Sequence, residues 1–424
     1  MTTITTKLTV FASALSVLGV TAVATVPPSV GVEADESDTV VEWNQHAIDA
    51  MLIAGQPLLV DVLHLAMMHG AVYDAVNAID GGHQPYLGAP PAEPWYSKEA
   101  AAATAAYRVL ASILPAGQQD ALLATYQASL DAIEDGPAED GGIATGEAAA
   151  AAMVAARTGD GRFGTPGFPV GSAPGEWRPV PPAFINDPAA WVADVTPFLI
   201  DTASQFRSDG PNPLTSAEYA EEFAEVKALG SATSTLRTAE QTEAARFWGV
   251  GPPPVTWAIM FRSLARDHDL PVADEARLFA MLYLTAADGA ISCWDDKRHW
   301  GFWRPITAIR EADTDGNPAT EADPAWTPLL PTPPYPDHPS AHTCVSGSFV
   351  YTLQDFFGTD KVAFGARNPF SGIQRDFTRF SEAIKEIVDA RIWAGLHFRT
   401  ADVHGAVIAK KVAHWRDKQY FQGS

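Results

Sequence analysis

Three short segments in the last third of the 424-residue chain carry basic side chains and histidines at spacings that suit an anion. The segments are "KRHWGFWRP", "PSAH" and "RIWAGLH". In that order they supply the pairs Lys297 and Arg304, Ser340 and His342, and Arg391 and His397. Together these side chains would form a site for a tetrahedral dianion or trianion, with one histidine to bond the central atom and another to move a proton.

The stretch "YPDHPSAHTC" first suggests a metal site, because His338 and His342 are four residues apart. That geometry requires one helix through both rings, and Pro339 would break it. Ser340 is instead a good N-cap, so Ser340, Ala341 and His342 should form the first turn of a helix. A helix N-terminus offers unpaired N–H groups and partial positive charge to an anion. Taken alone, the stretch also fits an ordinary capped helix with a surface histidine.

The first segment should bring two cations to one point. Lys297 lies at the end of a predicted helix, Gly301 interrupts it, and Pro305 suits the first turn of the next helix. Arg304 precedes that proline and should be extended, so it can converge with Lys297. Solvated surface cations are the simpler interpretation, but so much aromatic surface favours a bound anion or a cation–π role. The aromatic residues are Trp294, Trp300, Phe302 and Trp303.

In the third segment, six positions separate Arg391 from His397, which is about 120° apart on one continuous helix. Gly395 can end the helix and Thr400 can cap the next one. His397 would then lie in the short connection and could turn toward Arg391. A packing histidine near a helix junction is the alternative.

Helical periodicity dominates the chain, and alternating strand-like runs are nearly absent. These patterns predict a mostly α protein built from helical bundles. The predicted helices cover residues 60–79, 97–114, 146–159, 217–229, 237–249, 273–296, 341–357, 380–395 and 400–415. A Pro/Gly-rich span over about 160–215 is expected to be an ordered surface excursion, and 311–336 is a second irregular span.

The N-terminus has the pattern of a signal peptide. Lys7 precedes an apolar stretch over 8–26 that contains the A-x-A sequence of residues 22–24. Residues 1–24 are therefore predicted to be a signal peptide, with cleavage at an approximate position up to about 34. An uncleaved anchor is the alternative. No later stretch is predicted to be long and apolar enough to span a bilayer, so the mature protein should be secreted or periplasmic.

Charge and cysteine content restrict the partners and the compartment. The chain has 28 basic and 51 acidic residues, for a net charge of −23, which argues against binding to nucleic acid or anionic lipid. The two cysteines, Cys293 and Cys344, fit either one disulfide of an exported protein or two buried thiols.

The three segments resemble the vanadium-dependent haloperoxidases and the related PAP2-type acid phosphatases, whose pattern is K-x6-R-P, P-S-G-H and S-R-x5-H. Order and spacing match in all three. "HGAVYDAVNAI" (69–79) and "DPAWTPLLPTPPYP" (323–336) also look like the soluble bacterial branch of this family. The sequence departs from the pattern at Ala341, where the family has Gly, and at Ala390, where it has Ser.

The resemblance implies an all-α fold with the oxyanion site in a four-helix core. It also implies a single helical domain over 35–424, with a PAP2-type active-site region at about 270–416. Vanadate would be the cofactor, and phosphate can take its place. His397 would be the axial ligand to vanadium. The equatorial oxygens would be held by Lys297, Arg304, Ser340, the Ala341 N–H and Arg391.

The same resemblance assigns the catalytic roles. His342 would take the proton of hydrogen peroxide, and Lys297 would polarise the bound peroxide for attack by halide. Trp294 matches a tryptophan of the chloroperoxidase pocket. Tyr335 occupies a position where chloroperoxidases tend to have Phe and bromoperoxidases His, so the halide stays open.

Three functions are consistent with these residues. The first is a secreted vanadium-dependent haloperoxidase that oxidises a halide with hydrogen peroxide to hypohalous acid, or acts on a small organic substrate. The second is a secreted acid phosphatase in which His397 becomes a phosphohistidine and His342 protonates the leaving alkoxide. The third, favoured by Ala341 and Ala390, is a non-catalytic exported protein that keeps the fold. Nucleic acid is not an expected partner, no membrane span should remain after signal removal, and the oligomeric state is open.

Overall fold

Helices dominate the computed structural model, which describes residues 38–88 and 92–424. The described residues form thirteen α-helices and one antiparallel pair of strands, which confirms the predicted all-α class. The helices are α1 (Thr39–Ala54), α2 (Leu58–Asp80), α3 (Lys98–Ile113), α4 (Gln119–Asp131), α5 (Pro137–Ala156), α6 (Ala217–Gly230), α7 (Ala239–Gly249), α8 (Pro253–Asp267), α9 (Val272–Trp300), α10 (Pro305–Arg310), α11 (Ala341–Phe357), α12 (Phe380–Trp393) and α13 (Arg399–Gln419). The strands are β1 (Phe364–Arg367) and β2 (Gln374–Phe377), with Phe364 opposite Phe377.

Each of the nine predicted helices is present, and α1, α4, α8 and α10 are additional. The largest boundary difference is at α5, which begins at Pro137 rather than at 146. Its early part contains Gly141 and Gly142, which have low helix propensity. A Cβ atom at Gly142 would collide with the Ser97 carbonyl, so this glycine lets α5 lie close against α3. Tertiary packing therefore overrides local propensity here.

The span over 160–215 is more than a surface excursion, which corrects the prediction for it. Four of its aromatic side chains are buried; they are Phe168, Trp177, Trp191 and Phe198. Asp288 on α9 accepts hydrogen bonds from the N–H groups of Phe198, Leu199 and Ile200 at 2.6 to 2.8 Å. A buried carboxylate thus fixes this irregular segment against the long helix that leads to the site.

Helix α2 lies at the centre of the N-terminal half and packs against α3, α5 and α9. By length and composition it could cross a membrane, so the expectation that no later stretch would qualify was wrong. In the structure, 94% of its most apolar window is buried. A helix surrounded by other helices lacks the polar face that a surface helix carries, which explains its apolar composition.

The cysteines lie between the helices that approach the site. Cys293 on α9 and Cys344 on α11 are both free and fully buried. Burial and the neighbouring Cys293 raise the pKa of Cys344 well above its usual value. The predicted signal peptide lies outside the described residues.

Replacing His64 by leucine should reduce the acid sensitivity of the fold. His64 on α2 is fully buried, and both ring nitrogens lack a hydrogen-bond partner among the described residues. Burial, with Arg162 adding to it, lowers the pKa of His64 to about 3. The folded ring stays neutral while the unfolded one gains a proton below pH 6.5, so its contribution to stability falls as the pH drops toward 3.

For this one histidine, the loss in the free energy of unfolding between pH 7 and pH 5 is about 2 kcal/mol. Chemical denaturation at both pH values should therefore show His64→Leu losing less stability than the wild type. The exposed His268, replaced in the same way, controls for loss of a histidine as such. Equal losses in the wild type and His64→Leu would contradict the prediction.

Candidate active site

The end of α9 and the start of α10 place two of the predicted cations. Gly301 ends α9 in the left-handed region, with φ 52°, and its N–H donates to the Lys297 carbonyl. Arg304 is extended, with φ −84° and ψ 154°, and Pro305 occupies the first turn of α10. These conformations are the ones predicted from Gly301 and Pro305. Lys297 and Arg304 are both fully buried.

Helix α11 begins as predicted, with Ser340 as its N-cap residue. The Ser340 hydroxyl accepts no backbone N–H of the first turn, so it is available to another partner. The Ser340 N–H donates to the Ala401 carbonyl at 2.8 Å, which joins the start of α11 to the first turn of α13. His338 lies outside the helix and turns to Ser208 and His404, at 3.0 and 3.3 Å. It therefore forms no metal pair with His342.

Arg391 lies on α12, and Gly395 follows that helix with φ 79°. His397 lies in the connection to α13, as predicted. Thr400, however, does not cap α13, because the helix begins at Arg399 with Phe398 as its N-cap residue. The Thr400 N–H donates to the Glu222 carboxylate of α6 at 2.9 Å. A side chain distant in sequence thus replaces the expected local cap.

His397 is the centre of the cluster. Its Nε2 lies 3.1 Å and its Nδ1 3.4 Å from Arg304 Nη1. Asp337 Oδ1 lies 2.8 Å from Nδ1 and 3.8 Å from Arg304 Nη1. Lys297, Arg391 and His342 lie close enough to act electrostatically on the same ring. The structure therefore brings both histidines and all three predicted cations together.

Several buried polar atoms of this cluster have no hydrogen-bond partner among the described residues. The donors or potential donors are Arg304 Nη2, Ser340 Oγ, His342 Nε2 and Arg391 Nε. Buried polar groups are rarely left unpaired, and these four atoms are cationic or able to donate. Such a set suits a tetrahedral oxyanion, which accepts several hydrogen bonds at once.

Lys297 is the exception, because its ammonium group is already engaged. It donates to the carbonyls of Pro336, at 2.7 Å, of Asp337, at 3.0 Å, and of Pro339. An ammonium group has three donors, so all of them are used. Burial lowers the pKa of Lys297 to about 8. In this structure the lysine holds the 336–339 segment in place and contributes its charge to the site.

The surroundings of both site histidines favour the neutral form of the ring. Burial is the main reason that the pKa of His397 lies well below its usual value. The positive charges of Arg304, Lys297 and Arg391 lower it further. Burial and Arg391 lower the pKa of His342 in the same way, against the opposing effect of the Trp248 backbone. The predicted direction for His342 is confirmed, but burial rather than the helix dipole is the main cause.

Comparisons with known proteins agree with this geometry. A family model described as the VCPO second helical-bundle domain matches residues 277–422. The vanadium chloroperoxidase of Curvularia inaequalis is 29% identical over an alignment that covers 37% of this chain and 30% of that relative. The crystal structure of a bacterial vanadium-dependent iodoperoxidase superposes with a TM-score of 0.80, at 22% identity, and covers 93% of this chain and 99% of that one. The chain therefore has the fold of the bacterial vanadium haloperoxidases, and residues 277–422 match the family model of the second helical bundle.

A holo-type bacterial vanadium-dependent chloroperoxidase also shares the superfamily fold, with a TM-score of 0.68 and 16% identity over 91% of this chain and 98% of that one. The curated chloroperoxidase is matched over less than a third of its length. The solved structures, at 16 to 22% identity, establish the fold. That fold places the cluster among α9, α11, α12 and α13, which pack against one another as the predicted four-helix core.

The two predicted halide-pocket residues lie in contact, with the rings of Trp294 and Tyr335 4.9 Å apart. Lys297 Nζ lies 5.0 Å from the Tyr335 ring and 5.8 Å from the Trp294 ring. The Trp294 N–H donates to the Asp187 carboxylate at 2.9 Å, so it is not available to a halide. Tyr335 is therefore the member of the pair that can still face a ligand.

Sequence reasoning missed the acidic residues of the site. Asp337 and Asp402 are fully buried, and neither carboxylate has a hydrogen bond within the described part of the chain. Burial raises the pKa of Asp337 to about 7, although Arg304 and Lys297 oppose the change. Asp337 lies inside the quoted "PDHPSAH" stretch, so an acidic residue beside a candidate histidine was a usable signal. Asp402 gave no comparable pattern, because only folding brings it beside Ser340.

Proposed function

We propose that this protein is a vanadium-dependent haloperoxidase, which uses hydrogen peroxide to oxidise a halide to hypohalous acid at a histidine-bound vanadate. One observation carries the proposal: buried donors without partners surround His397 in a pocket of cationic side chains. Vanadate is a tetrahedral oxyanion, and a site of this kind binds its ligand through charge and hydrogen-bond geometry. The similarity to bacterial vanadium haloperoxidases supports the same choice.

The unpaired groups indicate which residues would hold vanadate. Arg304, Ser340 and Arg391 have donors free for its oxygens, and the first-turn N–H groups of α11 add to them. His397 would supply the nitrogen that bonds the vanadium. Bound vanadium would act as a Lewis acid that makes a peroxide oxygen electrophilic. Lys297 would contribute positive charge, since its donors are already engaged by backbone carbonyls.

His342 is placed to move the proton of hydrogen peroxide. Its Nε2 is buried and unpaired, and its depressed pKa keeps the ring neutral and able to accept a proton. The Trp248 backbone lies against the same ring and helps to orient it. The residue thus acts as a base when peroxide binds and as an acid when the product leaves.

The alternative function, an acid phosphatase, would use the same pocket with phosphate, and activity assays separate it from the haloperoxidase.

The non-catalytic alternative depends on Ala341 and Ala390. Ala341 keeps the N–H of the first turn of α11, with a side chain that is 8% exposed. Ala390 is buried on α12 and lacks the hydroxyl of the family pattern. Because the unpaired donors belong to other residues, we propose that the pocket still functions.

Export is part of the same proposal. The leader-like residues 1–24 would direct the chain out of the cytoplasm, where hydrogen peroxide and a halide or small organic substrate would be its partners. The net charge of −23 supports a partner other than nucleic acid.

Orthovanadate should stabilise the protein and confer peroxide-dependent bromination of a phenol dye. A ligand that binds only the folded state stabilises it by about 2.7 kcal/mol at 100 times its dissociation constant. Melting temperature should therefore rise with vanadate, and phosphate should compete because it presents the same tetrahedral charge.

Bromide and iodide should be tested in parallel, with a phosphatase substrate as the comparison. An Arg391→Gln variant, which keeps a polar side chain but removes a cation from the pocket, should lose most of the vanadate-dependent stabilisation. An unchanged melting temperature at millimolar vanadate would contradict the proposed cofactor. Phosphate-ester hydrolysis without halide oxidation would favour the phosphatase.

A further inference from the structure

The last turn of α7 lies across the pocket and forms one of its walls. The backbone of Trp248 lies against the His342 ring. A Cβ atom at Gly249, the last residue of α7, would lie 3.4 Å from Arg391 Nη1. Two consecutive residues of α7 thus approach two different residues of the proposed oxyanion pocket.

Leu330 fills the space on the same side of Gly249. A Cβ atom at position 249 would collide with Leu330 Cδ1 and would lie 3.9 Å from its Cγ. Two carbon atoms cannot approach so closely, so the leucine side chain occupies the space that a larger residue at 249 would need. Leu330 Cδ1 and Arg391 Nη1 therefore lie against the same face of this glycine.

The backbone around Leu330 is held in place from two sides. The Leu330 N–H donates to the carbonyl of Ala394, just after α12, at 3.2 Å. The N–H of the preceding Leu329 donates to the carbonyl of Gly230, at the end of α6, at 2.9 Å. Pro331 follows, and a residue before proline is restricted to extended conformations. The Leu330 side chain is thus presented to α7 from a fixed position.

This corner of the pocket reaches solvent. Gly249, Leu330 and His342 are partly exposed, whereas Arg391 behind them is buried, with 5% of its surface exposed. Arg391 Nε has no hydrogen-bond partner among the residues that the structure describes, so it is available to a ligand. A ligand that approaches Arg391 from this side must pass Gly249 and Leu330.

We propose that Gly249 and Leu330 are specificity-determining residues, which limit the size of the group that a bound oxyanion or peroxide can carry. This inference rests on the proposed oxyanion site. The leucine side chain occupies the space beside Arg391 that a substituent on the anion would need, and glycine at 249 is what lets the leucine lie there. The pocket should therefore accept hydrogen peroxide and inorganic oxyanions and exclude bulky hydroperoxides and phosphonates.

Methylphosphonate and phenylphosphonate test the size limit, because they carry the same tetrahedral anionic head with substituents of different size. Their affinities for the full chain are measured from the rise in melting temperature with ligand concentration. The wild type should bind methylphosphonate more tightly. Leu330→Ala should raise the affinity for phenylphosphonate, relative to methylphosphonate, by about 10-fold or more, the usual effect of a carbon atom or two on fit in an apolar pocket. Bromination driven by cumene hydroperoxide, relative to hydrogen peroxide, should rise in the same variant.

Gly249→Ala should have the opposite effect. Gly249 lies within α7 and does not have a positive φ, so alanine suits its backbone and has the higher helix propensity. The added methyl group would press on Leu330 and narrow the space beside Arg391. The affinity for methylphosphonate should therefore fall relative to that for inorganic phosphate. Lost packing alone does not produce size preferences that shift in opposite directions in two variants.

Leu329→Ala is the matched control, because it removes the same side chain from the neighbouring, partly exposed position and should leave the preference for small anions unchanged. Leu330→Val replaces Leu330→Ala if the latter does not fold. The same size preference in the wild type, Leu330→Ala and Gly249→Ala, with phosphate still bound, would overturn the size limit alone. Weaker binding of phenylphosphonate by Leu330→Ala would overturn it as well, since the leucine would then be a contact surface for the ring. If neither phosphate nor vanadate stabilises the wild type, the proposed function fails and the size limit with it.

Discussion

Replacing His397 by alanine should abolish vanadate retention and, with it, halide oxidation. The other groups of the pocket bind the oxyanion through charge and hydrogen bonds, whereas His397 would supply the bond to its central atom. Its ring is fully buried, and burial with the nearby Arg304 lowers its pKa, which favours the neutral form that can bond vanadium. The loss of affinity should exceed the roughly 10- to 100-fold that an outer partner of a metal ligand contributes.

Vanadium content after gel filtration and the rate of dye bromination measure this effect together. His299→Ala is the matched control, since it removes an exposed histidine at the end of α9. Circular dichroism establishes that the variant is folded, because a buried ring is being removed. A His397→Ala protein that keeps stoichiometric vanadium would show that another residue is the ligand.

The parts of the site that were predictable depend on local backbone chemistry. Gly301 and Gly395 adopt positive φ angles, and Pro305 opens α10. Glycine permits the positive φ that ends a helix, and proline favours the first helical turn, so each marks a helix boundary whatever its partners are. Because the catalytic candidates lie beside such residues, their spacing alone predicted where helices end and which side chains converge.

The features of the fold and site that could not be predicted depend on contacts between segments distant in sequence. Glu222 of α6 replaces the local cap expected from Thr400, and the carbonyls before α11 occupy all three donors of Lys297. The aromatic residues of the 160–215 span are buried although the span has no helical periodicity. Hydrophobic periodicity reports regular elements, so it cannot reveal how an irregular segment packs.

The two site histidines differ in their surroundings. His397 lies in a short connection between α12 and α13, and its surroundings include the carboxylate of Asp337. His342 lies in the first turn of α11 and is partly exposed, with its Nε2 buried toward the site. The His397 ring lies against Arg304 and a buried carboxylate, whereas the His342 ring has an unpaired nitrogen and is partly exposed. This asymmetry supports a ligand role for the first and a proton-carrying role for the second.

Replacing His342 by alanine should therefore keep much of the vanadate affinity and lower turnover by about 10²- to 10⁴-fold, the usual contribution of a general acid–base group. Burial and Arg391 depress the pKa of His342 in the described structure, and a bound anion should raise it again toward neutrality. Peroxide-dependent bromination should then lose the pH dependence that this ring gives the wild type. His404→Ala, on α13 and in contact with His338, serves as the control. If His342→Ala loses vanadium while His397→Ala keeps it, the two roles are reversed.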